Sequence, residues 1–532
     1  MSYAGLMPPG CFALILHAHL PYVRHPEHEE FLEEDWLFEA ITETYLPLLD
    51  VLHGLADEGV PFRVAMSLTP TLGHMLRDPL LLSRYERHLE RLLALAENEV
   101  RRTETRDAEQ KVARFYLLRL LRVREWWTDR WHRDVVSAFG ALQERGLVEI
   151  IASAATHGFL PLMERPESVR AQVRIGVEAY EEMFGRRPLG IWLPECAYMP
   201  GLDRVLAAEE LRWFVLDAHG LMLGKPQPRR GIYAPVFTPC GVAAFGRDRE
   251  SARQVWSADE GYPGDPFYRD FYRDVGWDAP MEDLRLLFPD GQRRFTGLKC
   301  HRITGSEPKQ LYDRAVAMQM ADWHAAHFLD ARIRQLDRLR PVMPVPPVIV
   351  SPFDAELFGH WWFEGPEWLG AFIRKAAEAP ASLRMTTPGE YLATFDTHQV
   401  VAPAASSWGD GGYNAVWLDP ANAWIYPLLH AAERRMVSSA RTLAARPRLT
   451  TIEERAVRQL ARELLLAQAS DWAFLMRTGT GREYATRRTH DHLDRFNRLH
   501  DELHAGHIET AFLENCEQSD NIFPRLNWRI YV

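Results

Sequence analysis

The run Cys11-Phe-Ala-Leu-Ile-Leu16, leading into His17-Ala-His19-Leu-Pro-Tyr22, decides the fold. Six apolar residues are too few for a helix that stands alone, and they stop at two histidines, a proline and a tyrosine. Short apolar runs of this kind between helical stretches are buried parallel strands. The same pattern returns at Phe62–Ser67, Val148–Ala152, Gly190–Leu193, Trp213–Leu216 and Val348–Val350, each followed by His, Pro, Asp or Glu. The fold class is therefore α/β, with the polar residues at the C-terminal ends of the strands, where barrels and other α/β enzymes keep their chemistry.

Two regions break the strand pattern. Residues 77–145 carry an Arg/Glu/Leu-rich helical period without strand runs and are expected to form a helical insertion. From Asn422 to His507 the helical period returns, so a C-terminal helical domain follows. The expected organisation is an α/β unit over 1–400, the insertion within it over 77–145, and a helical domain over 401–532.

Composition narrows the function. With 532 residues, 47% hydrophobic and 25% charged, the chain has room for a large core and an ordinary globular balance. Its net charge of −11 is spread along the sequence, which disfavours a nucleic-acid backbone as partner. Cys11, Cys196, Cys240, Cys300 and Cys516 are odd in number and form no CxxC pair, so neither a disulfide framework nor a zinc ribbon is indicated. A reducing, cytoplasmic setting fits that usage best. No uninterrupted apolar stretch is long enough to span a membrane, and no basic segment precedes Cys11–Leu16 to make it a signal peptide. A monomer or small homo-oligomer is expected.

Several constellations can carry chemistry. Alternation in an extended chain puts His17 and His19 on one face, where they can bind a metal or hydrogen-bond a polar ligand. Thr156-His157-Gly158 brings a third histidine to a strand end. In Trp192-Leu-Pro-Glu195-Cys-Ala-Tyr198 a carboxylate directly follows an apolar strand, a costly placement unless the charge is paired or used. Ser351-Pro-Phe-Asp354-Ala-Glu356-Leu-Phe-Gly-His360-Trp361-Trp362 is the densest polar and aromatic cluster in the chain. Asp354 and Glu195 lie far apart in sequence yet both follow parallel strands, so they can face one another across a pocket. Paired carboxylates flanking a glycosidic bond are the apparatus of sugar hydrolysis or transfer.

Two loops supply flat aromatics. Ser407-Trp408-Gly-Asp-Gly-Gly412, with Trp417 nearby, does not match a phosphate loop, since it has no GK[ST] and no preceding strand. Its tryptophans suit the faces of sugar rings. In Trp256-Ser-Ala258-Asp259-Glu-Gly-Tyr262-Pro-Gly-Asp265, preceded by Arg247, a turn signature is joined by two candidate pocket walls, Trp256 and Arg247. No cofactor motif is present. Trp126, Trp127 and Trp131, on the helical insertion, are assigned to the core.

Taken in order, the His17–Tyr22, Ala155–Gly158, Trp192–Tyr198, Pro352–His360 and Trp408 segments resemble the five motifs of glycoside hydrolase family 57. The likeness is strongest to its 1,4-α-glucan branching and amylase-like members, and it covers nearly the whole chain. The resemblance implies an incomplete (β/α)7 barrel with an inserted helical subdomain and a C-terminal α-helical domain. It also implies an α-glucan substrate and a retaining double displacement without metal or cofactor. By resemblance Glu195 matches the nucleophile and Asp354 the general acid/base. His17, His19 and His157 match histidines around the sugar, Trp256, Trp408 and Trp417 match aromatics lining the glucan groove, and Asp471 matches a carboxylate that closes the pocket. His360 and Trp361 belong to the same substrate-binding set through the Asp354 cluster.

One departure concerns the acceptor. Family branching enzymes with strong transfer carry a long flexible loop bearing a tyrosine after the strand that here ends at Leu216-Asp217-Ala218-His219. In this chain the corresponding stretch, Gly220–Ala234, is short, and Tyr233 stands beside the next strand. A more open intermediate favours water as acceptor. Branching, hydrolysis and 4-α-glucan transfer all remain compatible with the two carboxylates. A metal-dependent hydrolase using His17, His19, His157 and Asp354, or a glycan-binding protein without catalysis, are more distant alternatives.

Overall fold

The computed structural model describes residues 10–257, 260–285, 287–288 and 290–532. Among the described residues nine strands form one sheet: β1 (Gly10–Ala18), β2 (Val64–Leu68), β3 (Val148–Ser153), β4 (Gly190–Trp192), β5 (Trp213–Leu216), β6 (Val236–Phe237), β7 (Ala243–Gly246), β8 (Val348–Asp354) and β9 (Leu383–Met385). The spatial order is β6-β7-β5-β4-β3-β2-β1-β8, with β9 also on β1. Every pairing is parallel except the β6–β7 hairpin. A single bridge, Arg247 to Val350, links the end of β7 to β8 and brings seven parallel strands around into a ring. This is the incomplete (β/α)7 barrel, closed at its seam by that one bridge.

Strand periodicity sorts the side chains. Cys11, Ala13 and Ile15 of β1, Ala65 of β2, Ile151 of β3, Trp192 of β4 and Val348 and Val350 of β8 pack together in one small cluster inside the ring. The alternate residues, among them Phe12, Leu14, Leu16, Val64, Met66 and Ile150, join the larger core beneath the helices. Alternation continues to the strand ends, so the next inward positions are His17, Ser67, Ser153 and Asp354. The apolar interior turns polar in one step at the C-terminal rim.

Helices Pro79–Arg102, Asp107–Glu125 and Val135–Glu144 lie between β2 and β3. The first is started by Asp78, whose carboxylate accepts from Leu80 N and Leu81 N with Pro79 at the first position. Trp126, Trp127 and Trp131 are buried there, as their apolar surroundings predict. Between β3 and β4 the helix Pro166–Phe184 packs closely against β3: a Cβ on Gly176 would stand 2.0 Å from the Ser153 carbonyl oxygen, so only glycine permits this approach. Helices Ile425–Ala444, Thr451–Ala467, Ser470–Thr478, Arg482–Ala505 and Thr510–Ser519 form the C-terminal helical part. Among the described residues no helix is long and apolar enough to cross a membrane.

β7 has no counterpart among the apolar runs picked out above. Ala243-Ala-Phe-Gly246 is short and built of small residues, and only its neighbours β5 and β6 give it strand form.

Candidate active site

Register assembles the first part of the site. His17 is the in-register partner of Ser67 on β2 and of Asp354 on β8, so three polar side chains from adjacent strands share one layer. His17 Nδ1 is 2.9 Å from Ser67 Oγ, and its ring lies on Trp192, with centroids 4.4 Å apart. Two residues on, His19 Nδ1 is 3.0 Å from Thr69 Oγ1. His157 follows β3 with a φ of 55°, a left-handed conformation uncommon outside glycine, and its Nε2 lies 3.0 Å from His17 Nε2.

Glu195 follows β4 in the turn Pro194–Cys196, and it too is left-handed, with φ 62°. Two donors from distant segments hold its carboxylate. Trp408 Nε1 donates to Oε2 at 2.7 Å and Ser470 Oγ donates to Oε1 at 2.8 Å. The helical part enters here by backbone register: Gly158 and Ala469 form an antiparallel bridge, and Ser470 N donates to the His157 carbonyl at 3.0 Å. That register places Ser470 on Glu195 and Asp471 on His19, whose Nε2 is 3.0 Å from Asp471 Oδ1.

Glu356 completes the polar floor. Its Oε1 accepts from His19 N at 3.1 Å and from Tyr45 OH at 2.5 Å. Tyr45 ends a π-helical turn, Ile41–Tyr45, a local widening that recurs near functional sites. Gly359, at φ 113°, lets the loop after Asp354 lie against that turn, for a Cβ there would meet the Glu43 carbonyl at 1.8 Å.

Burial dominates the electrostatics. It pushes the Glu195 carboxyl up to about 7, against the hydrogen bonds from Trp408 and Ser470, which favour the charged form. Asp354 is raised well above the carboxylate range, first by burial and then by Glu356 and Glu195, with His19 and Arg247 acting the other way. Glu356 is also raised by burial to about 7. For His19 burial opposes the charge, but Asp471 beside it, with Glu195 and Glu356, raises it above the ordinary value. His17 and His157 are driven well below by burial, reinforced by neighbouring histidines.

The structure thus gathers Glu195, Asp354, His17, His19, His157, Trp408 and Asp471 in one place. Arg247 belongs with them: it lies 3.5 Å from Asp217 Oδ2, and its guanidinium stands over the Trp408 ring. His360 turns instead to Glu43, 2.9 Å from its Oε2, and Trp361, half exposed, stacks on Phe271. Trp256 is half exposed at the end of the helix Arg249–Trp256. Ala258 and Asp259 of that loop lie outside the described residues.

Trp417 corrects the expectation of a groove wall. It is 2% exposed and stacks on Phe159, because the loop carrying Trp408 folds back and uses Trp417 as its anchor in the core. Ser67, Ser470, Tyr45, Thr69 and Glu356 received no role from sequence. Ser67 follows Ala65 by two in the inward series and was within reach of that rule, while Tyr45 on its π turn gave no signal.

Tyr233 stays away from the site. Its carbonyl accepts from Val348 N at 2.9 Å, at the start of β8, whereas Asp354 ends that strand, about 20 Å away at the usual rise per residue. The short loop before it is tied to Ala402 by two backbone bonds at Lys225.

His19, His157 and Asp471 approach closely enough to hold a metal ion. Each ring nitrogen of the two histidines already faces a protein partner, however: Thr69 and Asp471 for His19, Ser470 and His17 for His157. These nitrogens are engaged in protein hydrogen bonds, and Asp354, which the metal reading requires, is not in that group.

Comparison with known proteins agrees with this geometry. Residues 13–403 match the model of glycosyl hydrolase family 57, and residues 428–531 match a 1,4-alpha-glucan branching enzyme C-terminal model. A 1,4-alpha-glucan branching enzyme of Thermococcus kodakarensis is 36% identical, across 97% of this chain and 77% of the relative. The crystal structure of an alpha-amylase from Thermotoga maritima superposes with a TM-score of 0.92 at 44% identity, covering 98% of this chain and 99% of that one. A family 57 branching enzyme from Pyrococcus horikoshii gives 0.89 at 34% identity, covering 98% and 97%. A seven-stranded ring with two carboxylates at its rim, matched over three quarters of its length by one family model and along nearly all of it by that family's structures, belongs to glycosyl hydrolase family 57.

Proposed function

We propose that the chain is a 1,4-α-glucan branching enzyme working by retaining double displacement. Glu195 attacks the anomeric carbon while Asp354 protonates the departing glycosidic oxygen. Asp354, now a base, then activates a glucan 6-hydroxyl that displaces Glu195 and forms an α-1,6 branch.

The double displacement rests on the unequal setting of the two carboxyls, and the branching outcome on the match of residues 428–531 to a branching-enzyme C-terminal model. Both Glu195 oxygens accept hydrogen bonds that favour the charged nucleophile, whereas Asp354 is raised well above the carboxylate range by burial and like charges, with no donor among the described residues to offset them. Titratable pairs whose environments drive their values apart divide into nucleophile and acid in this way. The rings of His17, His19 and His157, each held by protein partners at both nitrogens, form a fixed polar wall beside the two carboxyls. Branching relatives matched along the chain, together with the branching-enzyme C-terminal model, support the choice of acceptor.

A second reading, hydrolysis, is favoured by the anchored loop at Lys225 and Tyr233, and the likeness to an alpha-amylase points the same way. Incubation with amylose separates the two when reducing ends are measured before and after debranching, with Glu195→Gln as control. Branching predicts new chain ends released only by debranching. Reducing ends that rise before debranching, with few branches, identify an amylase.

A further inference from the structure

We propose that Ser67, His17, His157 and Ser470 form a single hydrogen-bonded chain with one direction, ending on Glu195, and that Ser470 is the positioning residue that delivers it to the carboxylate. The proposal rests on the reading of Glu195 as an ionised nucleophile, and the direction follows from counting protons.

An ionised carboxylate only accepts, so the Ser470 hydroxyl proton goes to Glu195 Oε1, 2.8 Å away. Ser470 Oγ has no second proton, so at 2.9 Å from His157 Nδ1 it can only accept, and the proton there belongs to the ring. A neutral imidazole carries one proton, so His157 Nε2 is bare. His17 Nε2, 3.0 Å from it, must then be the donor of that pair. His17 Nδ1 is bare in turn and takes the Ser67 hydroxyl proton at 2.9 Å. Burial holds both rings neutral, as the count requires.

Four links therefore run from the end of β2, through β1 and the loop after β3, into the helical part and back to the loop after β4. No member is free to turn without breaking the next bond. The chain points four aligned dipoles at the charge on Glu195 and sets which edge of each histidine ring is spoken for. It also explains why a serine from the C-terminal part is brought into the barrel: without the Ser470 hydroxyl, His157 Nδ1–H would point at Glu195 Oε1 from 3.6 Å, beyond hydrogen-bond reach.

The charged and titratable groups facing Glu195 besides the chain are Asp471 and His19, with Asp354, Glu356 and Arg247 beyond them. None is altered in the variants used for the test. In histidine-15N-labelled protein held above the Glu195 titration, ring-nitrogen shifts report the tautomers directly, with His17→Asn and His157→Asn assigning the signals. The expected result is a protonated Nδ1 on His157 and a protonated Nε2 on His17. Reversed tautomers, or a charged ring, overturn the proposal.

Ser67→Ala is expected to shift the signals of both rings, although Ser67 touches only His17; a shift confined to His17 breaks the chain. Ser470→Ala is expected to move the acid limb of the kcat/KM profile up by about one pH unit, as loss of one bond to a charged group implies, and Ser470→Thr to return it. A folded Ser470→Ala protein with an unmoved limb overturns the positioning role. The tautomer measurement needs no variant of Ser470, so it stands even where Ser470→Ala does not fold. Activity surviving in Glu195→Gln would instead strike the nucleophile reading, while the tautomers of the unaltered protein still report on the chain.

Discussion

Glu195 and Trp408 are joined twice. The indole Nε1–H donates to Glu195 Oε2 at 2.7 Å, and the Trp408 amide donates to the Glu195 carbonyl at 2.9 Å. Because the backbone link holds Trp408 in place whatever its ring, Trp408→Phe removes one donor and leaves the loop seated. A hydrogen bond to a charged group is worth about 1.5–3 kcal/mol, so kcat/KM on amylose is expected to fall about 10- to 100-fold. Initial rates of the purified variant measure this.

The two carboxyls are expected to respond differently to the leaving group. A maltosyl fluoride departs without protonation, so Asp354→Asn should lose about 10²- to 10⁴-fold on amylose and far less in glycosyl-enzyme formation from the fluoride. Glu195→Gln should lose both reactions. Fluoride release in a single turnover reads the first step, and equal losses for Asp354→Asn on the two substrates would remove it as the acid.

Activity requires Glu195 charged and Asp354 protonated. The rate should therefore rise through about 7, where Glu195 loses its proton, and fall again where Asp354, raised well above the carboxylate range, loses its own. A kcat/KM profile that peaks in the range of ordinary carboxylates would contradict both shifts.

His19 owes its charge to Asp471. With Asp471→Asn, burial acts with less opposition and the imidazole should drop from its raised value toward or below about 6.5. In the native protein the raised value contributes stability that is full below the unfolded imidazole value and is lost as pH rises through the higher folded one. The Asp471→Asn variant should accordingly show its largest fall in Tm at acid pH and a small one at alkaline pH, measured by thermal unfolding at both.

Trp417 and Trp361 make a contrasting pair. Trp417→Ala removes a buried ring and should destabilise the protein by about 3–5 kcal/mol. Trp361→Ala, on a half-exposed ring, should stay within about 0.5 kcal/mol and change glucan binding instead. Urea unfolding and KM for long glucans distinguish them.

Much of this arrangement is legible in the sequence. Apolar runs of strand length followed by polar loops located β1 to β5 and β8, and period-2 alternation carries the inward series to His17. β7 escaped because Ala243-Ala-Phe-Gly246 lacks the branched residues that mark a strand, and its form comes from pairing with neighbours. Sequence and family resemblance place Trp417 on the groove wall because neither tells a ring facing sugar from one anchoring a loop. Ser470 was missed for a different reason. A serine is among the least distinctive residues, and what gives this one its role is the approach of segments 275 residues apart along the chain.

The seating of Ser470 also bears on how members of this family can be recombined. The barrel model ends at 403 and the C-terminal model begins at 428, so Trp408 falls in the gap and Ser470 on the far side of it. A chimera cut at that boundary would inherit Glu195 from one parent and one or both of its donors from the other. Such hybrids should succeed only when the Thr156–Gly158 loop comes from the same parent as Ala469–Asp471, since the Gly158–Ala469 bridge is the joint that aligns the two halves of the cradle.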